Sequence, residues 1–362
     1  MQKLTLQPLG NADCCLIDTH DGRKILFDYA NCRTDYDLPA KLREDLKAVQ
    51  ASSYDIVAFT HMDTDHIQGF SEFFYLLNAQ KYQDGNRIGI DELWVPAAIL
   101  LEKNVTGEQA ILRAEACYRL KQRKGIRVFS NPDKLKDWLE KEGLNPKDFE
   151  HLITGAGQTV PGFDLLIDGV EFFVHSPFST SIDGETIDRN CAALVMQATF
   201  QQEGQNTKVI LGSDVTHDVW TDIVNVTRYY GNDEHLQWDV FKVCHHCSYL
   251  SLSSEKGKVQ TEPVPNVKWL FEQGGNRGIL VSSSKPIPDD DQDPQPPHRQ
   301  AANYYRAVAN RIDGEFKVTM EHPTKSVPAP LVILIDGSGA RVEKKSVGVA
   351  SIISSKPAPR AG

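Results

Sequence analysis

The sequence predicts a β-rich α/β fold. Three observations carry that expectation. Short apolar runs separated by turn residues open the chain, stretches of helical spacing divide the later runs, and three separate β-type runs end in Asp or His.

Leu4 and Leu6, then Cys15 and Ile17, then Ile25 to Phe27 form three short strands. The turns between them are Gly10-Asn11-Ala12-Asp13 and His20-Asp21-Gly22-Arg23, and Asp-Gly between apolar runs is a strong hairpin signal. The third run ends in Asp28. Leu42, Leu46 and Val49 lie at helical spacing and lead into a strand from Tyr54 to Phe59. Residues 71–150 read as mainly helical, interrupted by strands at Glu92 to Val95 and Ile126 to Phe129. Strands follow at Asp164 to Ile167, Val170 to His175, Ala193 to Phe200 and Lys208 to Leu211, the last ending in Gly212-Ser213-Asp214. A helical segment near Val219 to Tyr230 precedes the strand Val240 to Val243, which runs into Cys244-His245-His246-Cys247-Ser248. Pro286 to Pro297 reads as an extended loop, Gln300 to Ile312 as a helix, and Phe316 to Met320 and Leu331 to Ile335 as late strands. The tail, residues 343–362, has the small, polar and Pro-rich composition of a disordered segment.

The chemistry concentrates in Thr60 to Gly69. His61, Asp63, Asp65 and His66 place two imidazoles and two carboxylates within six residues, just past the end of a strand. A strand end is rigid enough to hold a metal site, and the turn that follows can splay alternate side chains toward one point. Nitrogen and oxygen donors without thiolates suit zinc, manganese or iron, and two carboxylates suggest a hard, dinuclear catalytic site.

At 362 residues, 40% apolar and 24% charged, the composition is that of an ordinary globular protein. The N-terminus lacks a long apolar stretch and no run of about 18 apolar residues occurs, so the expectation is a cytoplasmic chain with no membrane partner. Seven cysteines, an odd number, fit small buried side chains in a reducing compartment. A net charge of −10 argues against a wholly basic nucleic-acid-binding surface and leaves room for a local one. The densest basic cluster is Arg113, Arg119, Lys121, Arg123, Lys124 and Arg127, which reads as a solvated helix face or, more sharply, as a phosphate-binding arm.

Asp28, His61-x-Asp63-x-Asp65-His66, Gly212-Ser213-Asp214 and His245-His246, in that order, resemble the metallo-β-lactamase superfamily. Asp63 stands where the usual motif carries a second His. With the opening Gly10-Asn11-Ala12-Asp13 and the later Lys242-Val243-Cys244-His245-His246-Cys247-Ser248, the pattern looks most like the hydrolase domain of the bacterial competence protein ComEC and its stand-alone relatives. The resemblance implies an αββα sandwich over 1–342, with 71–150 as a mainly helical insertion. It implies two divalent metal ions, Zn or Mn. His61 and Asp63 would hold the first, Asp65 and His66 the second, Asp214 would bridge, and Asp28 would orient the site from behind. His245 or His246 would supply the last ligand.

Relatives carry His-His-Gly-Ser where this chain has Cys247, and Cys244 and Cys247 have a Cys-x-x-Cys spacing. The third motif of the family is matched only loosely around Asn190, while His175 reads as a packed histidine, so a weaker first metal site is expected. His298, at a helix start, would bind a substrate phosphate, protonate a leaving group or cap the helix. The function implied is a metal-dependent phosphodiesterase or nuclease in which a bridging hydroxide attacks, with Asp65, Asp214 and His298 as its catalytic residues. The competing readings are hydrolysis of a small nucleotide or a non-phosphate ester, and a metal-binding effector that docks a protein partner through the helical segment.

Overall fold

Alternation along the first strands sorts their side chains to two faces, and that sorting builds the layers. The computed structural model describes residues 2–184 and 186–344. The N-terminal part comprises β1 (Gln2–Leu6), β2 (Cys15–Asp18), β3 (Lys24–Phe27), α1 (Leu38–Ala48), β4 (Ser53–Ala58), α2 (Thr64–Ile67), α3 (Phe70–Phe73) and β5 (Gly89–Pro96). It continues with α4 (Ala97–Leu101), α5 (Gly107–Gln122), β6 (Ile126–Phe129), α6 (Asp133–Lys141) and β7 (Ile153–Thr154). Next come β8 (Val170–Ser176), α7 (Ser179–Asp183), β9 (Val195–Gln202), β10 (Gln205–Leu211), α8 (His217–Tyr229), β11 (Trp238–Lys242) and α9 (Pro265–Glu272). The chain closes with β12 (Gly274–Ser282), α10 (Arg299–Arg311), β13 (Glu315–Val318), β14 (Pro323–Thr324), β15 (Val327–Pro328), β16 (Leu331–Asp336) and β17 (Gly339–Val342).

Among the described residues two large mixed sheets form, ordered β17-β16-β1-β2-β3-β4-β5-β6-β7 and β13-β12-β11-β10-β9-β8. Ile25, Phe27, Ile56, Ala58 and Trp94 of the first sheet share a core with Val209, Leu211, Val240 and Ile279 of the second. Leu26, Val57, Leu93 and Val95 point the other way, into a core with Leu42 of α1, Leu112 of α5 and Leu135 of α6. Ile210 and Phe241 do the same on the far side, meeting Trp220 of α8, Leu270 of α9 and Tyr305 of α10. The result is a four-layer αββα sandwich, because period-two strands with both faces apolar require cover on both sides. α1 begins where the Asp37 carboxylate accepts the Ala40 N–H at 2.9 Å and Pro39 occupies the first turn.

The segment 71–150, expected as a mainly helical insertion, delivers β5 and β6 to the first sheet in parallel with β4 and lays α5 and α6 over them. Asp164 to Ile167, expected as a strand, is instead a turn. The Asp164 carboxylate accepts the N–H groups of Leu166 and Ile167, leaving both side chains 82% exposed, so local aspartate chemistry overrides the apolar pair. β12 is a strand the sequence reading lacked. Of the expected tail, only Glu343 and Lys344 fall among the described residues. No described helix is long and apolar enough to cross a membrane.

Candidate metal centre

Four parallel strands aim their C-terminal ends at one rim of the sandwich. β3 and β4 are parallel neighbours in the first sheet, β10 and β11 in the second. Asp28 follows β3, Thr60 and His61 follow β4, Ser213 and Asp214 follow β10, and His245 and His246 follow β11. Backbone hydrogen bonds lock the connecting loops: Asp28 N–H to Ala58 O (2.8 Å), Tyr29 N–H to His66 O (3.0 Å), Asp13 N–H to Asp65 O (2.9 Å) and Leu194 N–H to Thr60 O (3.0 Å).

Each of three buried imidazoles is fixed through Nδ1. The Thr60 hydroxyl donates to Asp28 Oδ2 (2.9 Å), so its oxygen is left to accept from His61 Nδ1 at 3.1 Å. His66 Nδ1 donates to Asp28 Oδ2 at 2.8 Å, and His246 Nδ1 donates to the Ser283 carbonyl at 2.7 Å. In the neutral rings, therefore, all three Nε2 atoms carry the lone pair. Those atoms face carboxylates: His61 Nε2 lies 3.5 Å from Asp63 Oδ2, and His66 Nε2 lies 3.4 Å from Asp214 Oδ1. His246 Nε2 lies 3.2 Å from Asp65 Oδ2 and 3.6 Å from Asp214 Oδ2.

Nε2 of His61 and of His66, and Oδ1 of Asp13 and of Asp214, are buried without a hydrogen-bond partner. Asp13, His66, Asp214 and His246 offer donor atoms that all lie within 4.8 Å of one another. Buried polar atoms are rarely left unpaired, and an all N/O donor set of this kind suits a divalent ion. The residues present therefore fit the expected metal. Burial opposes charge at both His66 and Asp214. At His66 the carboxylates of Asp214 and Asp28 outweigh it and hold the imidazole well above its usual range, while the imidazoles of His246 and His66 hold Asp214 well below the carboxylate range.

His245 and His246 part company. His246 enters the cluster; His245 is half-buried with its ring centroid 6.5 Å away, and its Nδ1 is unpartnered. His245, His246 and Cys247 have φ of 50°, 50° and 67°, a left-handed run of three non-glycine residues. Cys247 thus occupies a conformation that favours the glycine of the resembling motif. Its side chain is fully buried, and all seven cysteines are free thiols.

His298 is not drawn into the cluster by its hydrogen bonds. Its Nε2 donates to Pro294 O at 3.1 Å, and its Nδ1 accepts the Tyr249 N–H at 3.4 Å. Its side chain makes no cap to α10. Asn190 sits in a turn where its N–H bonds Asp188, with its own Oδ1 buried and unpartnered. His175 packs outside the donor group, bonded to the His235 carbonyl at 3.0 Å.

The structure adds residues that the sequence reading passed over. Arg189 Nη1 donates to Asp63 Oδ1 at 2.7 Å while Nη2 and Nε engage Glu102 at 2.6 and 3.0 Å. Lys242, at the end of β11, reaches Asp13 Oδ2 at 2.8 Å, an ion pair with side-chain exposures of 10% and 2%. Asp13 lies in the opening turn and Lys242 within a strand run of the sequence; the signal at each is a charge flanked by apolar residues.

No protein-family model and no curated protein matches the chain. Solved structures do. YhfI from Bacillus subtilis, a metallo-β-lactamase fold protein, is 12% identical with a TM-score of 0.40, covering 92% of this chain and 99% of its own. Unliganded yeast PDE1 is 10% identical with a TM-score of 0.41 (88% and 97%), and a diphosphatase of the PhnP family is 10% identical with a TM-score of 0.34 (91% and 93%). The layering of the fold rests on the sheets and cores above, and such distant likeness says nothing of this chain's chemistry.

Proposed function

We propose that the chain is a metal-dependent hydrolase of the metallo-β-lactamase type acting on a phosphodiester, with His61, Asp63, Asp65, His66, Asp214 and His246 as its metal ligands. The observation that supports it most is the convergence of buried, unpartnered Nε2 and carboxylate oxygens from both sheets at one rim. Zinc or manganese bound there supplies Lewis acidity and a water of lowered pKa. The chain's own part is preorganisation. Asp28 holds His66, Thr60 and Ser213 hold His61, and the Ser283 carbonyl holds His246, each presenting Nε2.

The two halves of the centre are unequal in this reading. Among the described residues no lysine or arginine pairs with Asp65 or Asp214, whereas Asp63 is already the partner of Arg189. The ion at His66, Asp65, Asp214 and His246, where a further buried carboxylate, Asp13, is already paired with Lys242, is accordingly the tighter one, and the ion at His61 and Asp63 the weaker. The resemblance to ComEC-type domains makes nucleic acid or a nucleotide the substrate to try first.

The test pairs elemental analysis of protein purified without chelator with hydrolysis of bis-p-nitrophenyl phosphate in added manganese or zinc. Up to two ions per chain and metal-dependent turnover, abolished in Asp214→Asn with its fold intact by circular dichroism, is the expected result. Bound metal without turnover would favour the effector reading, and absence of metal would undo the centre.

A further inference from the structure

A cavity of about 690 Å³ lies beside the candidate centre, lined by Glu102, Lys103, Arg113, Lys134, Trp138 and Lys141 among others. Its volume falls within the roughly 300–1,000 Å³ of small-molecule sites. α5 gives Arg113, α6 gives Lys134, Trp138 and Lys141, and Glu102 and Lys103 directly follow α4. One wall is shared with the centre: Glu102 holds Arg189, which holds Asp63.

The charge of this cavity opposes that of the whole chain. Among the described lining residues four are cationic against two carboxylates, Glu102 and Asp137, in a protein of net charge −10. Glu102 is engaged by Arg189. None of the four cations forms an ion pair among the described residues. Arg113 donates from Nε to the Leu100 carbonyl at 3.0 Å and Lys134 donates to the Ile182 carbonyl at 3.1 Å, bonds that position each head group without neutralising it.

The rest of the basic cluster behaves otherwise. Arg119 is buried against Glu115 at 2.7 Å, Lys121 pairs with Glu142, Arg123 with Asp148 and Arg127 with Glu92. Unpaired cations gathered in a cavity, next to cations that are paired wherever they serve the fold, mark an anion site. Trp138 is half-buried at the same wall, packed against the core with Lys121 Nζ 5.6 Å from its ring centroid, and the part of its ring that lines the cavity offers an aromatic surface for a planar ring.

We propose that this cavity binds a nucleoside polyphosphate, its phosphates on Lys103, Arg113 and Lys141 and its base against Trp138. The hydrolase reading concerns phosphodiesters and does not enter this proposal; the binding is independent of it.

Calorimetric titration of the full chain with ADP, before and after chelator treatment, is the experiment. ADP binds wild type in both states, and Lys103→Glu and Lys141→Glu, both surface changes checked by thermal melting, each weaken it roughly tenfold or more. Raising the salt weakens it further. Trp138→Ala weakens ADP and leaves inorganic pyrophosphate unchanged. Four results overturn the site: no ADP binding, binding that vanishes with the metal, indifference to both lysine changes, or pyrophosphate binding as tightly as ADP. Hydrolysis of bis-p-nitrophenyl phosphate by wild type reports separately on the centre. ADP binding without that turnover sinks the hydrolase and keeps the cavity, and the reverse sinks the cavity alone.

Discussion

Asp28 Oδ2 lies 2.8 Å from Nδ1 of His66, and the same carboxylate holds the Thr60 N–H at 2.7 Å and its hydroxyl at 2.9 Å. One side chain thereby sets the tautomer of His66 and, through Thr60, that of His61. Asp28→Asn keeps the shape and removes the charge that fixes both rings. Metal affinity, measured by competition with a chelating dye, is expected to fall roughly 10- to 100-fold, the usual cost of losing an outer partner. Unaltered affinity would remove Asp28 from this role.

The paired histidines separate cleanly by experiment. His246 is buried with Nε2 among the carboxylates, and His245 is not so placed. His246→Ala is expected to lower bound metal per chain, and His245→Ala to retain it, by elemental analysis of the two variants. Equal losses would mean that both rings ligate.

Lys242 and Asp13 form a buried ion pair linking β11 to the β1–β2 turn. Removing one partner strands the other's charge, which costs about 3–5 kcal/mol, whereas replacing both with apolar groups costs far less. Lys242→Met is therefore expected to destabilise strongly and Asp13→Leu/Lys242→Met markedly less, by urea unfolding. Additive losses would show that the two side chains do not depend on each other.

His175 gives a pH signature outside the metal-donor group. Burial, with the neighbouring His235, pushes its pKa down to about 3. The unfolded value is about 6.5. Above pH 6.5 both states are neutral and the shift has no effect. Below it the unfolded chain takes up a proton that the folded chain refuses until about pH 3, so stability falls as pH falls across that window. In His175→Gln the drop in unfolding free energy from pH 7 to 4.5 is expected to be smaller than in wild type by on the order of 2 kcal/mol. Parallel pH curves for the two proteins would sink the assignment.

Much of the fold was readable because alternation is a local property. Ile25 to Phe27 and Tyr54 to Phe59 announce strands with both faces covered, and Asp28, His61 and Asp214 stand out because polar ligands follow apolar runs. β12 escaped because it opens on Gly274 and Gly275, where a Cβ would collide with the Trp238 ring and the Asp239 carboxylate; close packing, not strand propensity, selects those glycines. Arg189 with Asp63, and Lys242 with Asp13, are 126 and 229 positions apart. Nothing in local pattern joins residues so distant, so those pairs became visible only once the two sheets were stacked. The same holds for His245 against His246, whose unusual backbone breaks the alternation that adjacent residues on a strand would obey.

The candidate ligands come from opposite layers: His61 and His66 follow the first sheet, Asp214 and His246 the second. A chain in which only one sheet has formed has half a chelate. An ion that prefers the complete set stabilises only the docked sandwich, by about 2.7 kcal/mol at a free concentration one hundred times its dissociation constant. Metal supply then becomes a term in the protein's survival against proteolysis, and a chelated cell would shed this chain faster than a replete one.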